Sequence, residues 1–587
     1  DGQEYVPAKK PVLLGHHFSS IAGGAPIVGP ITAGAIWGWV PALLWVAIGN
    51  PLIGAVHDFV SLSGSMRHEG KSIGYIIGEY VGERGKNLLL WFAFLTIILV
   101  VAVFALVVGI VLNAYPSAAT ASLVYIALAL VFGFYLYQFN GPFIPGTVVF
   151  VAAVFGGVWL GIQNPIALFP AVEAGTYPEG TIILFSFLGD GAWLPGAVMD
   201  PDAILKPNVA GWVPVILLYS IIASALPVWV LLQPRDYLSS FLLYTGVGGA
   251  LVAIVVGTVG YSFGIDPITP SQELAVDSSI GAFEGFMGVD SRAPYPLFPM
   301  LFVTIACGTV SGFHSLVSSG TTSKQLNKES DARLIGYGGM LGEGLLAAVA
   351  LSTLAIAGFS SDAAAGGIGG ALPNFATGGG TILTSLGVPA SYGAPFMALV
   401  LVSFLLTSTD TAARLGRYMM EEIVDTPAGT TVTGFSTDLE SIARGRYTNP
   451  AIQCLVGYLL VISGEWATLW TLFGSANQLL AALALLTATV WLANWDESKQ
   501  LISTGLPMAG MVVITLLAFT FIAFYQNAYV GLIAGGAEGT AAQISSVVQI
   551  AIALLLMYLA VALVRIGYEN ITTIRRGREP AAEPSDD

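Results

Sequence analysis

Of 587 residues, 55% are hydrophobic and 10% charged, and the mean hydropathy is +0.78. Soluble domains carry roughly 25% charged residues, so this composition excludes a soluble globular protein and indicates an all-α polytopic membrane protein lying in a lipid bilayer. The net charge of −15 says little until the charges are placed by side, and no nucleic-acid partner is expected.

The first apolar stretch is a poor continuous helix. Gly15-His-His-Phe-Ser-Ser-Ile-Ala-Gly-Gly-Ala-Pro-Ile-Val-Gly-Pro30 carries Gly23 and Gly24, which loosen the backbone, and Pro26 and Pro30, which each remove an N–H. Broken backbone at membrane depth survives only where protein or a water-filled cavity covers it, and secondary transporters use such breaks to hold substrates and ions. Residues 15–36 are therefore expected to form a discontinuous membrane helix at the centre of a solute carrier. The chain opens on Asp1 rather than Met, with no signal peptide ahead of it, and reads as trimmed or incomplete.

About 20 apolar residues span the hydrocarbon core. On that basis fourteen spans are predicted, at 17–36, 40–66, 87–112, 120–138, 143–162, 211–233, 238–264, 296–318, 335–358, 393–413, 450–463, 467–493, 503–526 and 543–566. The eleventh is short. With the N-terminus inside, 19 of the 21 Lys and Arg fall on inner segments (Lys9, Lys10, Arg67, Lys71, Arg84, Lys86, Arg235, Lys324, Lys328, Arg333, Arg414, Arg417, Arg444, Arg446, Lys499, Arg565, Arg575, Arg576, Arg578), and only Lys206 and Arg292 fall outside. That bias supports the span parity and cytoplasmic termini in a plasma membrane. The outer loops hold Glu173, Glu179, Asp190, Asp200, Asp202, Asp266, Glu273, Asp277, Glu284, Asp290, Asp362, Glu465 and Glu538, either as a surface suited to concentrated salt or as ordinary solvated loops. The outer loops 163–210 and 263–295 are candidates to cap a transport path, and Gly/Ala-rich 359–392 reads as a spacer. Cys307 and Cys454 lie in apolar runs and read as buried small hydrophobes, with no disulfide framework or metal cluster.

Polar residues inside spans are expensive, so each is a functional candidate. His57 and Asp58 are adjacent and project to different helix faces. Asp58 either faces the bundle as a cation or proton site or closes onto Arg67 or Arg84. The sixth span ends Pro227-Val-Trp-Val-Leu-Leu-Gln233-Pro234-Arg235-Asp236, where two prolines predict a second break. Arg235 offers a planar donor fork suited to an anionic substrate, or pairs with Asp236 or a lipid headgroup. The eighth span carries Ser318, Ser319, Thr321 and Thr322 around Gly320, hard oxygen ligands for Na⁺ or helix-to-helix glue. His314 is a proton relay or a satisfied interior histidine. Glu343 sits early in the ninth span. Asp410 and Arg414, spaced i, i+4, suit a gate ion pair. Asn477 and Gln478 read as an amide pair bonding across helices. Gly64-Ser-Met-Arg-His-Glu-Gly70-Lys71-Ser72 has the wrong spacing and context for a P-loop, and Asn570-Ile-Thr572 lies on the predicted inner side. No nucleophile–base or metal-binding motif appears, so no enzyme and no cofactor are expected beyond Na⁺ or H⁺ as coupling ion.

The strings Gly-His-His-Phe-Ser-Ser-Ile-Ala-Gly, Gly-Ala-Val-His-Asp-Phe, Leu-Pro-Val-Trp-Val-Leu-Leu-Gln-Pro-Arg-Asp-Tyr-Leu, Ser-Gly-Phe-His-Ser-Leu-Val-Ser-Ser-Gly-Thr-Thr and Leu-Phe-Gly-Ser-Ala-Asn-Gln-Leu-Leu-Ala-Ala resemble the carbon starvation protein A family, from the first residues to about residue 493. The resemblance implies a carrier induced on nutrient limitation that takes up short peptides or pyruvate with a cation, on a LeuT-type architecture of two inverted five-helix repeats plus extra C-terminal helices. It divides the chain into a cytoplasmic segment 1–16, a first repeat 17–162, an outer loop 163–210, a second repeat 211–417, a cytoplasmic loop 418–449, additional helices 450–566 and a tail 567–587. Spans one and six, both proline-broken, then hold equivalent places. In this sequence His57 stands where relatives are expected to carry an amide, and the family's usual upstream hydrophobic segment is absent.

The expected function is cation-coupled uptake of a small organic nutrient by alternating access. Backbone around Ala22, Gly23, Gly24 and Ala25, with Gln233 and Arg235, binds the substrate's charged end. Ser318, Ser319, Thr321 and Thr322 hold the cation, with Asp58 as the proton site in its place. A membrane sensor that binds nutrient without net flux is the other reading.

Overall fold

In a bilayer the backbone finds no partner but itself, so long uncharged runs become helices. The computed structural model describes residues 5–264, 281–288, 295–357, 368–424, 445–463, 466–493, 498–537 and 539–576. Outside them lie Asp266, Glu273, Asp277, Asp290, Asp362, Glu465 and Glu538 of the acidic set, Arg292, Arg444 and Arg578 of the basic set, and most of the segments 263–295, 418–449 and 567–587.

The chain begins with α1 (Lys10–Ile21) and α2 (Ala25–Trp37), a bent pair whose axes meet at 42°. There follow α3 (Trp39–Arg67), the short α4 (Ile73–Val81), α5 (Glu83–Ala114), α6 (Pro116–Tyr137), α7 (Phe143–Gln163), α8 (Pro207–Ala225) and α9 (Leu232–Gly260). Then come α10 (Leu297–Thr304), α11 (Gly312–Val317, continued by a π-helical turn Ser318–Thr322), α12 (Glu329–Ala355), α13 (Ile368–Leu383) and α14 (Ala390–Ile423). The last four are α15 (Thr448–Ile462), α16 (Leu469–Ala493), α17 (Leu501–Ile533) and α18 (Ala542–Ile574). Among the described residues 11 helices are long and apolar enough to cross a membrane, or 12 spans with the bent pair counted as one. The two remaining segments of the expected fourteen fail that test for different reasons. The eighth is interrupted between α10 and α11, and the eleventh, α15, has 15 residues.

α5 and α16 are almost wholly buried and form the middle of the bundle, whereas α7 and α18 expose most of their apolar surface at its edge. Three expectations change. The second proline-associated break lies at 226–231, ahead of Pro234. Leu226 is extended before Pro227, as residues preceding proline tend to be. Helix α9 restarts at Leu232 with Pro234 in its first turn, where a missing N–H costs nothing. Residues 359–392 are not all spacer: 368–383 form α13, and its glycines let it pack on the start of α14, where a Cβ on Gly380 would sit 2.6 Å from the Ala394 nitrogen. Finally, the interruption that packs against the α1/α2 break is the one between α10 and α11. A Cβ on Gly29 would lie 2.5 Å from the Thr304 carbonyl oxygen, and one on Gly308 would lie 3.4 Å from Pro26 Cα.

At the acidic end, residues 281–288 lie on the end of α2, where the Glu284 N–H donates to the Trp37 carbonyl at 2.9 Å. Loop 163–210 instead covers α5 and α8. Two short strands, β1 (Ile166–Ala167) and β2 (Ile182–Ile183), pair in parallel. The Asn208 Oδ1 accepts the Leu168 N–H at 2.8 Å, and the Tyr177 hydroxyl donates to Asn113 at 2.8 Å. At the basic end the N-terminal segment is tied down by the Ala8 N–H to the Gln325 carbonyl at 3.0 Å and by Lys10 to Asp331 at 2.9 Å.

Candidate functional site

The first break is made by Gly23-Gly24 ahead of a proline. The Ala22 N–H still reaches the Phe18 carbonyl at 2.8 Å, but the Gly23 N–H turns back to Ile21 at 2.8 Å, and the helical ladder stops. The Ser20 carbonyl is taken up from outside by the Ser408 hydroxyl of α14, at 3.0 Å. Ala22, Gly23, Gly24 and Ala25 are all buried. A Cβ on Gly23 would meet the Phe104 ring and Ser408 Oγ at 3.1 Å, so the bare main chain sits between α5 and α14.

The facing break, 305–311, contains no proline and is held open by amides from other helices. The Asn477 Oδ1 accepts the Phe313 N–H at 2.8 Å, capping the resumed helix, and its Nδ2 donates to Ser311 Oγ at 3.0 Å. Gln478 Nε2 donates to the Phe302 carbonyl at 2.7 Å. Asn50 Nδ2 donates to the Gly308 carbonyl at 3.1 Å and the Met340 carbonyl at 2.8 Å. The expected amide pair thus does bond across helices, and its service is to the break. Such buried polar groups must be satisfied, and each unmade bond costs about 1–3 kcal/mol.

Two buried ionic clusters flank the breaks. In the first, Arg235 at the start of α9 spends its whole fork. Its Nε and Nη2 donate to Asp236 Oδ1 at 3.0 and 2.9 Å, its Nη2 also donates to Asp410 Oδ1 at 3.2 Å, and its Nη1 donates to Asp410 Oδ2 and, at 2.6 Å, to the Tyr219 hydroxyl. The Thr407 hydroxyl donates to Asp236 Oδ1 at 3.0 Å, and His16 Nδ1 lies 2.6 Å from Asp236 Oδ2. The second cluster joins α3, α11 and α12. Asp58 sits between His57 Nδ1 at 2.7 Å and His314 Nδ1 at 3.0 Å. His314 Nε2 approaches Glu343 Oε2 to 3.2 Å, an ion-pair distance without the alignment of a hydrogen bond. Asp58 therefore faces the bundle, and Arg67 goes to Glu329. His57 and Asp58 meet although successive helix positions diverge by about 100°.

Other candidates are dispersed. Gln233 lies toward the basic end, its Nε2 donating to Gln325 Oε1 at 2.8 Å and its Oε1 accepting the Tyr137 hydroxyl at 2.6 Å. The hydroxyls of the π-helical turn do not converge. Ser319 donates to the Ser315 carbonyl at 2.7 Å, Thr321 donates to the Val317 carbonyl at 3.0 Å, Thr322 lies 3.0 Å from His17 Nδ1, and Ser318 Oγ is buried without a partner. The gate pair expected between Asp410 and Arg414 is replaced. Asp410 takes Arg235, and Arg414 Nη2 donates to the Ala223 and Leu226 carbonyls at 3.1 and 2.7 Å. Those carbonyls end α8 beside the 226–231 break, where Arg446 also donates to the Ala225 carbonyl at 2.5 Å. Arginine thus takes the carbonyls where α8 ends, at Ala223, Ala225 and Leu226, and Pro227, Val228 and Leu231 accept backbone N–H groups of the break and of α9. Sequence reasoning gave no role to Asn50, Ser408, Tyr219 or the tandem His16-His17. The tandem, two imidazoles in an apolar helix, was the available signal.

The family model for "Carbon starvation protein CstA" matches residues 1–359 and 357–518. "Peptide transporter CstA" of Helicobacter pylori strain J99 is 33% identical over 584 residues, covering 89% of this chain and 75% of that protein. "Peptide transporter CstA" of Escherichia coli K12 is 31% identical, covering 91% and 77%, and "Pyruvate/proton symporter BtsT" of the same organism is 30% identical, covering 93% and 80%. Among solved structures, the Eremococcus coleocola manganese transporter aligns with 97% of this chain and 99% of its own at 13% identity and a TM-score of 0.44, a likeness too slight to carry weight. With membrane helices throughout, relatives named as transporters and the family model across both breaks, this chain belongs to the carbon starvation protein CstA family.

Proposed function

We propose that this protein is a proton-coupled symporter that takes up a small nutrient bearing a carboxylate, a monocarboxylate such as pyruvate or a short peptide, by alternating access. The observation that carries this reading is the saturated fork of Arg235 beside the α1/α2 break, shared by Asp236 and Asp410. A substrate carboxylate and Asp410 compete for the same donors. Displacing Asp410 as an anion strands a buried charge, which costs about 3–5 kcal/mol. Displacing it after it has taken a proton does not. Anion and proton therefore load together, and the bare main chain from Ala22 to Ala25 receives the rest of the polar end.

Two further observations favour H⁺ over Na⁺. The hydroxyls Ser319 and Thr321 are spent on their own helix, and buried carboxylates meet imidazoles at Asp236–His16 and at Asp58 with His57 and His314. The name of the Escherichia coli relative, a pyruvate/proton symporter, agrees. On this reading the basic end faces the cytoplasm. The second inverted repeat then starts at Leu297, where the interrupted helix that faces α1/α2 begins, rather than at residue 211.

The test is uptake of labelled pyruvate and dialanine into proteoliposomes under imposed pH or Na⁺ gradients. Accumulation is expected to follow the pH gradient. Uptake indifferent to both gradients removes the coupled mechanism, and binding without flux favours the sensor.

A further inference from the structure

The two ionic clusters are separate in space, and consecutive residues of α1 lie between them: one bonds the first cluster, and the other bonds the turn that continues the helix carrying His314. His16 and His17 are fully buried on α1, at positions about 100° apart around the axis. His16 Nδ1 lies 2.6 Å from Asp236 Oδ2, in the Arg235 cluster, while His17 Nδ1 lies 3.0 Å from the Thr322 hydroxyl, on the side of Asp58 and His314. The charged groups around the pair are Arg235 and Asp236 from α9, Asp410 from α14, Asp58 from α3, His314 from α11 and Glu343 from α12. Each ring keeps its second nitrogen, Nε2, buried and without a hydrogen-bond partner. An unmet buried imidazole nitrogen is costly unless it serves a purpose, and histidine is the side chain best suited to take up and release a proton near neutrality.

We propose that His16 and His17 form the junction through which the coupling proton passes between the Asp58–His314 cluster and the Asp236–Asp410 cluster. This rests on the symport reading and deepens it. A proton leaving the Asp58–His314 cluster is taken on His17 Nε2 and relayed through water to His16 Nε2, one N–H or O–H bond breaking as each new one forms. His16 then gives its Nδ1 proton to Asp236 Oδ2, so the imidazolium becomes neutral and the carboxylate becomes an acid. That removes one negative charge from the Asp236–Asp410 pair that shares Arg235, and with one proton on the pair a carboxyl group yields its part of the fork to the substrate carboxylate without a stranded charge. α1 ends at the break, so any tilt of α1 moves both rings together relative to both clusters.

The experiment compares wild type, His16→Gln and His17→Gln in proteoliposomes, recording labelled pyruvate uptake and the accompanying internal pH change in the same sample. The proton-to-pyruvate ratio is expected to fall by about tenfold or more in either variant. A purely structural role lowers both fluxes in parallel and leaves the ratio unchanged, which overturns the junction while sparing the symport reading. A wild type that moves pyruvate without protons overturns the symport reading itself, and the junction with it. Because a variant can fail to insert, nitrogen-15 imidazole spectra of the wild type provide a second readout. The chain holds only 5 histidines, and pyruvate is expected to change the protonation signature of the His16 and His17 signals. Signals that stay in one neutral tautomer with and without pyruvate overturn the proposal.

Discussion

The two buried clusters differ in one respect that decides what each can do. The cluster on α9 contains a guanidinium, a cation that never loses its charge, held by two carboxylates, a phenol and a threonine within one network. It ties α1, α8, α9 and α14 together, and Arg235 or an ionised carboxylate leaves it only by stranding a buried charge. The cluster on α3, α11 and α12 contains only groups that can gain or lose a proton: His57, Asp58, His314 and Glu343. Its charge can change with no bond to a fixed cation broken. On the proposed symport reading, one cluster is the lock and the other the proton store. A carrier needs both, because a stored proton is useful only if its arrival opens something.

Four substitutions break or sharpen that contrast. Arg235→Gln strands Asp236 and Asp410 together. It is expected to lower stability by about 3–5 kcal/mol, read as a large fall in the unfolding midpoint in detergent, with uptake abolished. Asp58→Asn keeps the shape of the store but removes its central charge. A loss of about 1–3 kcal/mol is expected, with pH-driven accumulation of pyruvate lost, whereas unaltered accumulation would place the store elsewhere. Glu343→Gln is expected to be milder still, within about 1 kcal/mol, because neither carboxylate oxygen makes a hydrogen bond. A destabilisation as large as that of Arg235→Gln would mean the two clusters are not different in kind. Arg67→Ala, which breaks an exposed pair with Glu329 outside both clusters, is the reference, expected at about 0.2–1 kcal/mol and falling with added salt.

Much of the fold was legible from local chemistry. Apolar runs marked the helices, and Gly23-Gly24-Ala25-Pro26 marked the first break, because loosened backbone and a missing N–H act within a single turn. Gly23, Gly24 and Ala25 were named as candidates on those grounds and Arg235 for its planar donor fork; Gly23 and Gly24 lie between α1 and α2, and Arg235 lies on α9, whose Asp236 meets His16 of α1. The partner of Asp410 was not legible. Arg414 is four residues away and fits helix spacing, but the carboxylate took Arg235, which is 175 residues distant, because the broken end of α8 claimed Arg414 for its carbonyls.

The break at 305–311 was the least visible of all. It carries no proline, and what opens it is a set of amides from Asn50, Asn477 and Gln478. By itself the sequence determined that the chain crosses a membrane many times, where its helices run and where one of them must break, since hydropathy and proline sterics are properties of a few adjacent residues. Only the tertiary structure decided which break faces which and which charges meet. Buried donors and carboxylates pair with whatever the packing brings within about 3 Å, however far apart along the chain their residues lie.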